Sequence, residues 1–296
     1  MMYTQYKPTE EHRKNISLAK TILFPEITKE ILGNLYCRGK SIHKIARALN
    51  ISEWKATRII EKLELPIRKN YSYLSRYGQK YVYNKRALDI LNPKAAWILG
   101  WLLSDGFAYK NSFGWRLAEK DREVLDSFVN FFEYDGVIYD YTSVIKNKKH
   151  RGYYLKITST PIVEILKSYG IYGKKTLNEK FPNKILEANN EEITRQFIKG
   201  IFEGDGSVLY DLKYRSPCFQ IVGTKELLRH IQDQLIKYLN LPLNKLTCNI
   251  KGKNHYALRY RGRYNAMVIF DWMYKNSEFH LLRKYNKYLV LKELLK

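Results

Sequence analysis

Two segments a hundred positions apart, Ile98-Leu-Gly-Trp-Leu-Leu-Ser-Asp105-Gly106 and Ile198-Lys-Gly-Ile-Phe-Glu-Gly-Asp205-Gly206, share one plan, an apolar helix that ends in Asp-Gly. Glycine is the residue best able to take the left-handed conformation that closes a helix, so the pattern puts Asp105 and Asp205 at helix C-termini. Unpaired carbonyls and the negative end of the macrodipole gather there, and a carboxylate is badly placed unless a cation joins it. The arrangement asks for a metal.

Small residues recur every fourth position along the same segments, Ala96, Gly100 and Ser104 in the first and Gly200 and Gly204 in the second. That spacing puts them on one helix face. With Gly100 and Gly200 at the contact, the helices can approach closely and bring Asp105 and Asp205 together at one end of the crossing. Carboxylates so near one another repel strongly, and a hard divalent cation with oxygen ligands relieves the repulsion. Mg²⁺ is the expected ion, with another divalent cation such as Mn²⁺ as the substitute. Two ordinary core helices with glycine-capped ends would explain one copy, but they do not explain the duplication.

The paired segments resemble the motif of the LAGLIDADG homing endonucleases, and the likeness extends to their surroundings. After each motif come two strand-like stretches, a helix, two more strand-like stretches and another helix, the order of that family's repeat. In the first copy Phe107 to Leu117 leads to the helical Lys120-Asp-Arg-Glu-Val-Leu-Asp-Ser-Phe, then to Gly136 to Tyr141, Tyr153 to Thr158 and the helical Ile162 to Tyr169. In the second, Ser207 to Val222 leads to the helical Thr224 to Leu239, then to Leu246 to Ile250, Tyr256 to Arg261 and the helical Tyr264 to Tyr274. The closing Leu281-Leu-Arg-Lys-Tyr-Asn-Lys-Tyr-Leu is similar to the terminal helix of double-motif members. A lone Asp-Gly is a common turn pair; two copies in matching surroundings are specific. The resemblance covers residues 92 to 296, with a first repeat at 92–190 and a second at 191–296.

The resemblance implies an α+β fold of two pseudo-symmetric αββαββα repeats, whose four-stranded antiparallel sheets form a DNA-binding saddle. It also implies a site-specific double-strand DNA endonuclease, a homing endonuclease that hydrolyses phosphodiesters with a divalent metal. Asp105 and Asp205 would each hold a metal, with the carbonyls of Ser104 and Gly204 as further ligands, one acid serving each strand. A nearby Lys or Arg normally assists in this family, and Lys156, Arg259 and Lys292 are the candidates. Glu119 and Gly223 fall near another polar position of the family, which Gly223 cannot fill with a side chain. The chain departs from the family pattern at Leu103, where an acid is common and the second motif has Glu203, and at Lys199, which replaces a small residue. Neither position bears the metal in the family. The alternatives on the same scaffold are a catalytically inactive DNA-binding transcription regulator and an intron RNA maturase. The presence of both motif acids argues against the regulator, which has no need of two uncompensated carboxylates.

Composition agrees with a nucleic-acid partner. Lys and Arg total 52 against 29 acids, a formal net charge of +23, and such a field attracts the phosphate backbone in a salt-dependent way. Strand alternation puts every second side chain on one surface, so Arg259, Arg261 and Arg263 share a parity and could reach bases or phosphates. Unequal halves suit double-stranded DNA with a long asymmetric site, bound by a monomer. No apolar run approaches the roughly 20 residues that span a bilayer, and the opening Met-Met-Tyr-Thr-Gln-Tyr-Lys lacks a signal-like apolar core. A soluble, intracellular protein without a membrane partner is expected, in the cytoplasm or with a phage, archaeal or organellar genome. Cys37, Cys218 and Cys248 are scattered, without zinc-ligand spacing. The chain lacks the Cys or Ser start and His-Asn end of a protein-splicing element, so a free-standing or intron-encoded protein is expected.

Residues 25–67 have a different character. Helices are expected from Pro25 to Leu35, with proline in the first turn, from Ile42 to Leu49, and from Ser52 to Leu63 with Ser52 as N-cap. This reads as a small all-α helix-turn-helix domain preceding the repeats. In that motif the N-terminal half of the last helix enters the major groove, which nominates Glu53, Trp54, Lys55, Thr57 and Arg58 for DNA contact. Residues 1–24 read as a short helical DNA-binding module or a charged tail. Residues 68–91 are a basic, tyrosine-rich linker in which Arg68 and Lys69 would hold phosphates.

Overall fold

Both motif helices begin in the same way. The Asn92 side chain accepts the Ala95 amide at 2.9 Å and opens one helix, and the Asn190 side chain accepts the Ile193 amide at 3.1 Å and opens the other. A side-chain oxygen placed there satisfies an amide that the helix itself cannot. In this computed structural model the described residues are 26–37, 42–64, 81–145, 147–212 and 215–295. The chain divides into two compact units, Met1–Lys80 and Tyr81–Lys296, each described by itself.

In the first unit α1 (Glu26–Cys37), α2 (Ile42–Ala48) and α3 (Glu53–Lys62) enclose a small core. Leu32, Tyr36, Ile42, Ile45, Ala46, Ala56, Ile59 and Ile60 are buried there. Ser52 caps α3 by accepting the Lys55 amide at 3.2 Å. Residues 1–24, Arg68 and Lys69 lie outside the described residues, as does most of the linker.

The second unit is the α+β fold of two repeats. The first runs α4 (Pro93–Ser104), β1 (Gly106–Tyr109), β2 (Ser112–Ala118), α5 (Arg122–Phe131), β3 (Tyr139–Ile145), β4 (Lys148–Thr158), α6 (Thr160–Ser168) and the short α7 (Asn183–Glu187). The second runs α8 (Glu191–Asp205), β5 (Gly206–Asp211), β6 (Ser216–Gly223), α9 (Lys225–Leu239), β7 (Thr247–Cys248), β8 (Tyr256–Arg261) and α10 (Arg263–Tyr274), and α11 (Leu282–Leu294) closes the unit. Each repeat forms a four-stranded antiparallel sheet, in the orders β1-β2-β4-β3 and β5-β6-β8-β7.

Alternation gives each sheet a dry and a wet face. Phe113, Trp115, Leu117, Leu155 and Ile157 are buried under the first sheet, as are Phe219, Ile221, Leu258 and Tyr260 under the second. One continuous core joins them through Trp97, Trp101, Phe197 and Phe202 of the motif helices. Each such large side chain contributes on the order of 1.5–3 kcal/mol when fully buried. Register then places Phe107, Arg116, Tyr154 and Lys156 on the opposite face of the first sheet, and Leu209, Cys218, Gln220, Arg259 and Arg261 on that of the second. Arg263 does not continue this series: β8 stops at Arg261, Gly262 turns at φ 93°, and Arg263 starts α10. The turn ends the parity on which its placement beside Arg261 depended.

The glycines after the acids serve a purpose other than the one their sequence suggests. Neither is left-handed, and Gly206 is extended at φ −97°, ψ 172°, because the chain passes straight from helix into strand. What they supply is room. A Cβ on Gly106 would lie 2.6 Å from Leu102 Cα, and one on Gly206 would lie 2.5 Å from the Phe202 carbonyl oxygen.

Candidate active site

The small-residue faces of α4 and α8 bring the two helices into backbone contact. A Cβ on Gly100 would lie 2.3 Å from the Phe197 carbonyl oxygen, and one on Gly200 would lie 2.2 Å from the Trp97 carbonyl oxygen. The reciprocity marks a pseudo-two-fold axis through the crossing. One turn further on, a Cβ on Gly204 would meet Ser104 Oγ at 2.2 Å and Asp105 Oδ2 at 2.8 Å. The crossing thus delivers Asp105, from the first repeat, against the end of the helix that carries Asp205.

Both acids keep solvent-exposed surface, yet protein surrounds them on most sides. Burial, and then the charge of Asp105, push the Asp205 carboxyl up to about 7 against the partial relief given by Lys175. Burial likewise raises Asp105, with Lys284 and Lys175 opposing. The helix ends are themselves met by two cations that the motifs do not reveal. Lys175 Nζ donates to the carbonyls of Leu103 at 2.5 Å and Ser104 at 2.6 Å. Lys284 Nζ donates to those of Phe202 at 2.7 Å, Glu203 and Gly206 at 2.6 Å and Gly204 at 3.3 Å. Helix polarity alone therefore does not require a metal. Burial, together with neighbouring Arg283, pushes Lys284 down to about 7, and burial lowers Lys175.

The three basic candidates from the sequence go elsewhere. Lys156 sits on the wet face of the first sheet, opposite Gly114. Arg259 is bound to Gln220 and Thr247 on the wet face of the second. Lys292 pairs with Asp271 at 2.6 Å and with the Tyr288 hydroxyl at 3.0 Å. Glu119 opens a short turn after β2, and Gly223 ends β6. The one legible trace of Lys175 and Lys284 is that basic pairs, Lys174-Lys175 and Arg283-Lys284, recur after the last helix of the four-strand pattern in both repeats.

Leu103 and Lys199, where the chain departs from the family pattern, are both buried, as is Glu203. Glu203 is fully buried and accepts the indole N–H of Trp97 at 2.7 Å and of Trp101 at 3.3 Å. Lys199, also fully buried, donates to Ser277 Oγ and the Phe279 carbonyl at 2.8 Å. Arg283 forms a bidentate ion pair with Asp121 of the opposite repeat, and Thr224 Oγ1 donates to the Glu179 carbonyl across the same boundary at 2.5 Å. These ties fix the segments that carry the two lysines.

Removing Lys284 takes a donor from four inward carbonyls, of which that of Phe202 still receives the Gly206 amide, and each buried group left unsatisfied costs about 1–3 kcal/mol. An exposed ion pair such as Lys292–Asp271 contributes about 0–1 kcal/mol. Thermal unfolding should therefore show Lys284→Met losing several degrees more than Lys292→Met. Equal losses would contradict the cap.

The shifted groups also set a pH profile for the metal-free protein. Asp205 keeps its proton up to about 7 when folded against its ordinary 3.8. The folded state then binds more protons in that window, and stability falls as pH rises through it. Lys284 titrates near 7 rather than 10.5, so above that point the unfolded state binds more protons and stability recovers. Melting in EDTA should pass through a minimum near neutrality, with Asp205→Asn flattening the descending limb. A steady climb through the acid window would overturn this.

The donor set fits a hard divalent cation: two neighbouring carboxylates, with Asp205 raised by burial and then by the charge of Asp105, and main-chain carbonyls already turned to ammonium groups. Among the described residues no three His, Cys, Asp or Glu side chains gather as a metal cluster, so backbone, water or substrate oxygens would complete the shell.

No protein-family model and no curated protein matches the sequence. Solved structures do. The homing endonuclease I-WcaI bound to its DNA recognition sequence matches over 77% of this chain and 97% of its own, with a TM-score of 0.51 at 14% identity. The LAGLIDADG homing endonuclease I-SmaMI bound to cleaved DNA covers 70% of this chain and 89% of its own, with a TM-score of 0.44 at 16% identity. I-SmaMI bound to an uncleaved target in the presence of calcium ions covers 70% and 91%, with a TM-score of 0.41 at 16% identity. The fold of this chain is that of the LAGLIDADG homing endonucleases. Among the described residues no helix is long and apolar enough to cross a membrane.

Proposed function

We propose that the chain is a site-specific double-strand DNA endonuclease that hydrolyses phosphodiesters with a divalent metal, Mg²⁺ or Mn²⁺. The observation that carries this is the glycine-faced crossing of α4 and α8, which sets Asp105 beside the end of the helix carrying Asp205. Asp105 and Asp205, with the carbonyls of Ser104 and Gly204, would each hold a metal, which supplies positive charge at the scissile phosphate of its strand and acidifies bound water. The chain's own residues would do the rest. Lys175 and Lys284 stand at the two helix ends as cations, and their burial, which disfavours the charged form, suits them to give or take a proton at an ammonium nitrogen. The basic and aromatic wet faces of the two sheets would grip the duplex. Their different side chains suit a long asymmetric site bound by one copy of the chain.

The first unit would add a second grip. Trp54 is 58% exposed on α3, with the Arg58 guanidinium 5.1 Å over its ring. Thr57 Oγ1 bonds back to the Glu53 carbonyl at 2.8 Å, and Trp54, Lys55, Thr57 and Arg58 would be the contacts from that helix. A cytoplasmic or genome-associated protein fits this role.

The test is to select a bound duplex from a randomised library in EDTA and then add Mg²⁺. Cuts in both strands at one position of the selected sequence support the proposal. Binding without cleavage in any divalent metal would favour the regulator instead.

A further inference from the structure

The wet faces of the two sheets differ in chemistry. On the first, the Phe107 and Tyr154 rings stack at 5.9 Å, and the Arg116 guanidinium carbon lies over the Tyr154 ring, 4.9 Å from its centroid. That arginine is committed to a ring face. On the second, Arg259 projects from β8 directly opposite Gln220 of β6. Its Nε donates to Gln220 Oε1 at 2.5 Å and its Nη1 to Thr247 Oγ1 at 2.7 Å. A guanidinium has five N–H donors. Two are spent on holding the group in one plane, and among the described residues three, on Nη1 and Nη2, remain for an outside acceptor.

We infer that Arg259, oriented by Gln220 and Thr247, reads a guanine in the half of the target that lies under the second sheet. One feature favours a base edge over a phosphate. A phosphate presents oxygens in many directions and can meet a fork in many orientations, whereas the paired O6 and N7 acceptors of guanine need a planar fork held in register. The depression around Arg259 is lined by Leu209, Tyr210, Asp211, Cys218, Gln220 and Arg261. The register of the first sheet puts Lys156, opposite Gly114, where Arg259 stands opposite Gln220 in the second, so a guanidinium fixed in plane belongs to one half only. Gln220 is then a positioning residue, acting through Arg259.

This inference rests on the proposed DNA-binding function and can fail separately from it. A randomised duplex library is selected in EDTA with the wild type and with Arg259→Lys, Gln220→Ala and Arg116→Lys. A correct bidentate contact discriminates by roughly 10-fold or more. The wild type should enrich a G·C pair at one position. Arg259→Lys should relax that position to near indifference while the others stay enriched. Gln220→Ala should relax it in part, and Arg116→Lys should leave it unchanged. A uniform loss of affinity in Arg259→Lys with the G·C preference intact would mean a phosphate contact and overturn the inference. Failure of the wild type to enrich any sequence would remove the DNA-binding proposal, and this one with it.

Discussion

Asp105→Asn and Asp205→Asn, made singly, should each turn a double-strand cutter into an enzyme that leaves mostly nicked DNA, with the two variants nicking opposite strands. The reason is symmetry. The reciprocal contacts of Gly100 and Gly200 relate the repeats by a pseudo-two-fold axis, and the two backbones of a duplex are related by the same kind of axis. On the proposed function each acid would then face its own strand. Replacing a carboxylate by an amide keeps the shape and removes the charge, and losing one such electrostatic group costs about 10²–10³ in rate. Supercoiled plasmid carrying the selected site gives the readout. Nicked circles should accumulate with either variant, and labelled strands should show which one is spared. Equal loss on both strands from one substitution would place both cuts at a single shared centre.

The second large effect concerns the crossing itself. Gly100→Ala would be stabilising in an ordinary helix, by about 0.8–1.0 kcal/mol. Here the added methyl would sit 2.3 Å from the Phe197 carbonyl oxygen, 2.9 Å from the Ile201 amide nitrogen and 3.0 Å from Gly200 Cα. All three are backbone atoms, so relief requires the helices to part rather than a side chain to turn. Overpacking of this kind costs about 1–3 kcal/mol, and rigid neighbours put it at the upper end. The net loss of about 2 kcal/mol corresponds to a fall of roughly 4–8 °C in melting temperature for a unit of this size. Gly200→Ala should behave alike, and the double variant should fall short of the sum because both insertions push on the same gap. Parting the helices also separates the acids, so cleavage should drop faster than stability. A raised melting temperature would show that the helices are not in backbone contact.

Much of this was legible in the chain. Periodicity of four among Gly100, Ser104, Gly200 and Gly204 gives the crossing, and alternating apolar residues give most strands. Three features were hidden for physical reasons. Lys148 to Arg151 is polar throughout, so nothing in it signals strand, yet it pairs with Thr142 to Ile145 as the outer part of a hairpin. Lys175 and Lys284 are local to the active site only in three dimensions, each reaching its carbonyls across more than seventy residues. Gly106 and Gly206 look like helix terminators, because a requirement for space and a requirement for a left-handed backbone leave the same residue in the sequence. Arg263 shows the limit of parity: Gly262 ended the strand one residue too soon.

The proposed cleavage stands or falls on whether Asp105 and Asp205 each hold a metal at which DNA is cut. The most direct measurement is Mn²⁺ binding to the complex with the selected duplex, followed by electron paramagnetic resonance and by cleavage, for the wild type and for Asp105→Asn with Asp205→Asn. The account expects the double variant to bind the duplex as before while losing both the bound Mn²⁺ signal and all cutting. Cleavage by the double variant at the wild-type rate would contradict it.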